Sequence, residues 1–104
     1  MKKVMKREFR DYQEKLLQDL QDPEEASLYL NEALKDEDPR VFLLALKNVC
    51  EAQGEVMASL ARQTKISREN LYRILSKKGN PKLNNVVSLL SAVGFQLSVS
   101  PFRK

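Results

Sequence analysis

Arg68, Tyr72 and Arg73, with Ser67 and Glu69 beside them, lie within seven residues of Gly54–Leu75, GEVMASLARQTKISRENLYRIL. Guanidinium groups at this spacing can pair with phosphates or with guanine edges, and hydroxyls can bond phosphates. The chemistry is recognition of a polyanion. At 100° per residue Leu71, Ile74 and Leu75 share one side of a helix, while Glu69, Tyr72, Arg73 and Ser76 share the other. Arg68 falls in the first turn, where a DNA-reading helix points into the major groove. The free amides of that turn could also hold a phosphate. The same periodicity fits an ordinary solvated face, so the elements around it have to decide.

Those elements are two short apolar segments joined by Gln63-Thr64-Lys65-Ile66-Ser67. Val56, Met57, Leu60 and Ala61 mark the first, and Leu71, Ile74 and Leu75 the second. Ser67 is placed to cap the second helix, because its hydroxyl can accept from a free amide of the next turn. Ile66 and Leu71 fit a hydrophobic staple across that cap. Two short helices at a fixed angle are what a helix-turn-helix reader needs. Lys77 and Lys78, just after the second helix, would neutralise phosphates.

Composition narrows the rest. The chain has 104 residues, 31% charged and 42% hydrophobic, enough for one small domain. No apolar run nears the roughly 18 residues a membrane span requires, and no apolar segment follows the basic start. A cytoplasmic protein is expected. Histidine is absent and Cys50 is the one cysteine, which excludes an internal disulfide, ordinary zinc sites and histidine-based triads. Cys50 beside Val49 reads as a buried thiol. No nucleophile stands at a useful spacing from a base, so neither an enzyme nor a cofactor or metal site is expected.

Charge is unevenly spread. The net is +4 over residues 1–7, −8 over 8–38 and +8 over 39–104. The basic C-terminal part points to a polyanion, and the acidic segment to a different partner or to plain solvation.

In chain order, residues 1–8 read as a loose arm. Phe9, Tyr12, Leu16, Leu17 and Leu20 suggest an amphipathic helix. Asp22-Pro23-Glu24-Glu25 is a cap, a first-turn proline and two dipole-favourable acids, opening a helix to about Asp36. Asp38-Pro39 repeats the device for a broad apolar helix with Phe42, Leu43, Leu46, Val49 and Cys50, stopped at Gly54. Gly79-Asn80-Pro81 closes the motif. Leu83, Val86, Val87, Leu90 and Val93 form a last helix ending at Gly94. Phe95, Leu97 and Val99 then alternate with polar residues, a strand pattern whose edge would pair with a second copy of the chain, with the N-terminal arm or with another protein. A second copy is favoured because a two-fold dimer would set two recognition helices one DNA turn apart, and a frayed tail is the alternative.

Residues 39–95 resemble lambda-repressor-like, Xre-type helix-turn-helix domains through Leu60-Ala61, Ile66-Ser67, Leu71 to Leu75, Gly79-Asn80-Pro81 and Val93-Gly94-Phe95. With Asp22-Pro23-Glu24-Glu25-Ala26, Tyr29-Leu30, Ala33-Leu34 and Ser67-Arg68-Glu69-Asn70-Leu71-Tyr72, about four-fifths of the chain resembles the probable addiction-module antidote proteins, the HigA-like antitoxins. The expected fold is all-α: a five- to six-helix helix-turn-helix domain with an N-terminal helical extension and a short C-terminal β-strand. Its parts would be an arm with acidic helices (1–38), a DNA-binding domain (39–94) and a dimerising strand (95–104) carrying Phe95, Leu97 and Val99.

The resemblance implies a homodimer that binds double-stranded operator DNA, represses its own operon and neutralises a RelE/HigB-like toxin that cuts mRNA. Ser67, Arg68, Glu69, Tyr72 and Arg73 become the DNA-contact candidates, with Lys77 and Lys78 as phosphate contacts. Many Xre domains place a phosphate-holding glutamine near the start of the first motif helix. Here that area reads Glu55-Val56-Met57-Ala58, so that contact is not assigned. Two alternatives stay open: a phage-type repressor without a toxin, and a protein-interaction module that has lost DNA binding.

Overall fold

The computed structural model describes residues 2–55, 57–76 and 80–102, with side chains described from Arg10 onward. It holds six helices: α1 (Lys2–Asp19), α2 (Pro23–Leu34), α3 (Pro39–Ala52), α4 (Met57–Thr64), α5 (Arg68–Ile74) and α6 (Leu83–Ala92). The candidate contacts Lys77 and Lys78, the expected stop at Gly79, the apolar position Val56 and the Phe9 side chain lie outside the described residues.

Local hydrogen bonds set most helix ends. Asp22 caps α2 by accepting from the Glu24 amide, and Asp38 caps α3 by accepting from the Arg40 amide, both at 3.0 Å. Pro23 and Pro39 follow, where a missing N–H costs nothing. Gly54 and Gly94 sit at φ +75° and +90°, just past α3 and α6. At each, the next residue's amide reaches back five residues: Glu55 to the Cys50 carbonyl and Phe95 to the Leu90 carbonyl. The glycine amides bond Glu51 and Ser91. This left-handed stop satisfies the last carbonyls and favours a residue without Cβ.

One core joins the helices. Leu46, Val49 and Cys50 of α3 are fully buried, along with Leu20, Leu60, Leu71 and Leu89 from four neighbouring elements. Helix α3 packs against α1 and α2, and α4 packs against α5 and α6. Asn48 is the one buried polar residue among those described. Its Oδ1 accepts from Gln13 Nε2 (3.2 Å) and its Nδ2 donates to the Tyr29 hydroxyl (2.9 Å), so one amide ties α1, α2 and α3 together. Gln53 Nε2 donates to the Val93 carbonyl and joins the ends of α3 and α6.

Two expectations need correction. The segment expected as a loose arm is helical from Lys2. Lysine, methionine, arginine and glutamate are good helix formers, and no glycine or proline interrupts the run into Tyr12. The expected C-terminal strand is absent: residues 95–102 have no regular structure, and no strand occurs among the described residues. A strand needs a neighbour to complete its ladder, and every regular element among the described residues is a helix.

Candidate functional site

The α4–α5 corner is held by two side chains. The Thr64 hydroxyl donates to the Leu60 carbonyl (2.6 Å) and accepts from the Ile66 amide (3.3 Å), closing the end of α4. Lys65 then turns the chain at φ +61°, the left-handed region that non-glycine residues enter at a cost. Ile66 drops into the core. Ser67, in extended geometry, caps α5 by accepting from the Asn70 amide at 3.1 Å. Replacing Ser67 with alanine is therefore expected to cost about 1 kcal/mol. Thermal melting should fall by about 4–8 °C, and an unchanged melting temperature would remove the cap from this account.

Helix α5 buries Leu71 and Ile74, and Leu75 at its end, and turns everything else outward. Ser67, Arg68, Glu69, Tyr72 and Arg73 are all exposed, Tyr72 at 55%. Asn70, to which the sequence assigned no role, is exposed beside them. Its primary amide could pair bidentately with adenine, and only its place within the motif hinted at a role. Arg62 at the end of α4 and Lys65 in the turn are exposed on the adjoining segment.

Electrostatics favours anions here. The ion pairs among the described residues are Lys35–Glu32 and Arg40–Asp38. Arg62, Lys65, Arg68 and Arg73 therefore have no acidic partner among the described residues, with Glu69 as the acid on the same helix. Glu55, at the opposite end of α4, is committed elsewhere. It accepts from the Ser59 hydroxyl (2.8 Å) and from Gln63 Nε2 (3.2 Å), a ladder along one side of α4. The start of α4 thus presents a carboxylate.

The expected dimer contacts divide. Phe95 packs against the chain's own core, Leu97 is half-exposed, and Val99 is fully exposed. Leu83 and Val87, one turn apart on α6, are exposed as well.

Among the described residues no group of three or more acidic, cysteine or histidine side chains could hold a metal, and no helix is long and apolar enough to cross a membrane. Arg40 grips both oxygens of Asp38, with 2.7 Å between Nη2 and Oδ2, and this hydrogen bonding holds the carboxyl below its ordinary pKa. Burial pushes the Cys50 thiol up to about 12, with nearby Glu55 and Glu51 adding to it. Cys50 should therefore ignore a disulfide reagent at pH 8 in the native protein and react fully in denaturant. Fast native labelling would place it at the surface.

The chain matches, over residues 11–101, the family described as "Probable addiction module antidote protein". It is 39% identical over 80 residues to an uncharacterised protein of Haemophilus influenzae, an alignment covering 77% of this chain and 80% of that one. No solved structure matches it. With nearly the whole helical body inside the match, the chain belongs to the family of probable addiction module antidote proteins.

Proposed function

We propose that this protein is the DNA-binding antitoxin of a type II toxin–antitoxin module. It represses its own operon and neutralises a RelE/HigB-like mRNA-cleaving toxin. The observation that carries the DNA part is the outward face of α5, with Arg68 and Arg73 free of acidic partners among the described residues. In this reading α4 and α5 form an Xre-type helix-turn-helix. Arg68 and Arg73 reach base edges or nearby phosphates, Ser67 and Tyr72 bond at the groove edge, and Glu69 accepts from a cytosine amino group. Lys77 and Lys78 neutralise phosphates. The family supports the antitoxin part, since an antidote implies a toxin of some kind. The protein works by binding in the cytoplasm, with no catalysis and no cofactor.

Two copies act together. Leu97 and Val99, with Phe95 at their base, cover the same region of a second copy. That arrangement can set two α5 helices about 34 Å apart, one turn of duplex.

One feature favours the rival reading, a protein-interaction module that no longer binds DNA. Glu55 puts a carboxylate at the start of α4, where a backbone phosphate would pass.

The deciding experiment is binding to the DNA upstream of the gene across a salt series. With about six ionic contacts per dimer, log affinity should fall against log salt with a slope near −5. A slope close to zero, or no binding, would favour the rival.

A further inference from the structure

An apolar hollow lies where the end of α2, the start of α3 and the start of α6 meet. It measures about 420 Å³, and Leu34, Phe42, Leu83, Val86 and Leu97 line it. Leu34 and Leu83 are exposed, so the apolar lining continues out to the surface. Its charged lining residues are Asp36 and Glu37, and no lysine or arginine lines it among the described residues. Neither carboxylate has a cationic partner there, since the ion pairs join Lys35 with Glu32 and Arg40 with Asp38. A duplex would be repelled by two such carboxylates. An apolar segment followed by positive charge would fit both features.

The chain's own tail is such a segment. Val99 is 99% and Phe102 85% exposed, so neither has a seat on the body that bears it. Arg103 and Lys104 follow in the sequence, and no acidic residue occurs from Gly94 onward. Pro101 keeps Ser100 out of helical geometry, and in the three-residue turn of an extended polyproline chain Val99 and Phe102 fall on one side. Leu97 decides which tail enters. It lines the hollow and also begins the exposed tail, and the five residues from Leu97 to Phe102 span at most about 17 Å. A two-fold axis beside Leu97 therefore brings the hollow of each copy next to the tail of the other. One operation fills both seats.

We infer that residues 99–102 of each copy seat in this hollow of the other, with Phe102 as the anchor and the positive charge after it facing Asp36 and Glu37. This rests on the two-copy reading above and gives it a contact. The test is sedimentation equilibrium of the purified full chain. Wild type should dimerise. Phe102→Ala and Leu83→Lys should each weaken self-association by about tenfold or more, since each alters two equivalent contacts per dimer. Leu44→Lys, exposed on α3 outside this hollow, should leave it unchanged. Helical circular dichroism should stay as in wild type in all three, because each side chain already faces solvent. Glu37→Lys and Arg103→Glu should each weaken self-association several-fold, and an equimolar mixture of the two should recover it as a heterodimer, in which both charge pairs are again opposite.

A wild type that stays monomeric throughout would overturn this seat and the two-copy reading together. A dimer equally strong in wild type, Phe102→Ala and Leu83→Lys would overturn the seat alone and leave the dimer standing. Weakening by Phe102→Ala but not by Leu83→Lys would put the tail elsewhere and overturn the hollow, as would no recovery in the mixture of charge variants. A Phe102→Ala chain that associates like wild type but loses affinity for the protein encoded by the adjacent reading frame would give the tail to that partner instead. Should Leu83→Lys lose helicity, Leu34→Ala, on another edge of the hollow, gives the same decision.

Discussion

Arg68→Ala and Arg73→Ala are each expected to lose about 1–3 kcal/mol of binding to the DNA upstream of the gene and to relax its sequence preference. The size follows from what a bidentate arginine–guanine pair contributes against a wrong base. Both side chains are exposed on α5 with no acidic partner among the described residues, so neither substitution breaks an ion pair there. The loss should therefore appear in DNA affinity with melting unchanged. Glu25→Gln, at an exposed position of α2 in the acidic segment, is the matched control and should leave DNA affinity as it was. Competition gel shifts with operator and scrambled duplexes separate the two effects. A base-reading arginine narrows the gap between the duplexes when removed, whereas a phosphate-binding one weakens both alike. Wild-type affinity in both variants would take the DNA-reading role away from α5.

The features legible in the sequence are those with a local cause. Asp22-Pro23, Asp38-Pro39 and Ser67 each place an acceptor two or three residues from the amide it takes, so residue type and spacing settle the cap. Gly54 and Gly94 are legible for the same reason. The outward face of α5 follows from a period of 100°, because the core needs only one side of a short helix. What could not be read depends on partners far along the chain. Asn48 meets Gln13 and Tyr29, 35 and 19 residues away, and no pattern of apolar residues announces that meeting. The left-handed Lys65 also hides, since lysine is not a residue that advertises this geometry. The tail misled because alternation specifies two faces but supplies no neighbour for the ladder.

Leu71→Ala should be among the most damaging single changes. Leu71 is 0% exposed and comes four residues after the Ser67 cap, with Ile66 buried on the other side of it. It is the fully buried side chain with which α5 enters the common core. Removing three carbons there loses transfer energy and leaves a void that neighbours fill only in part, a cost of about 2–5 kcal/mol. A domain of this size holds roughly 5–15 kcal/mol in all, so the variant should unfold at much lower urea. Leu71→Met keeps the volume and should cost under about 1.5 kcal/mol. The pair separates packing from chemistry: DNA binding should fail in the alanine variant through loss of a positioned α5 and persist in the methionine variant. A Leu71→Ala protein with wild-type urea midpoint would mean that α5 is not held by the core, and a helix free to tilt could not aim Arg68 and Arg73 into a groove.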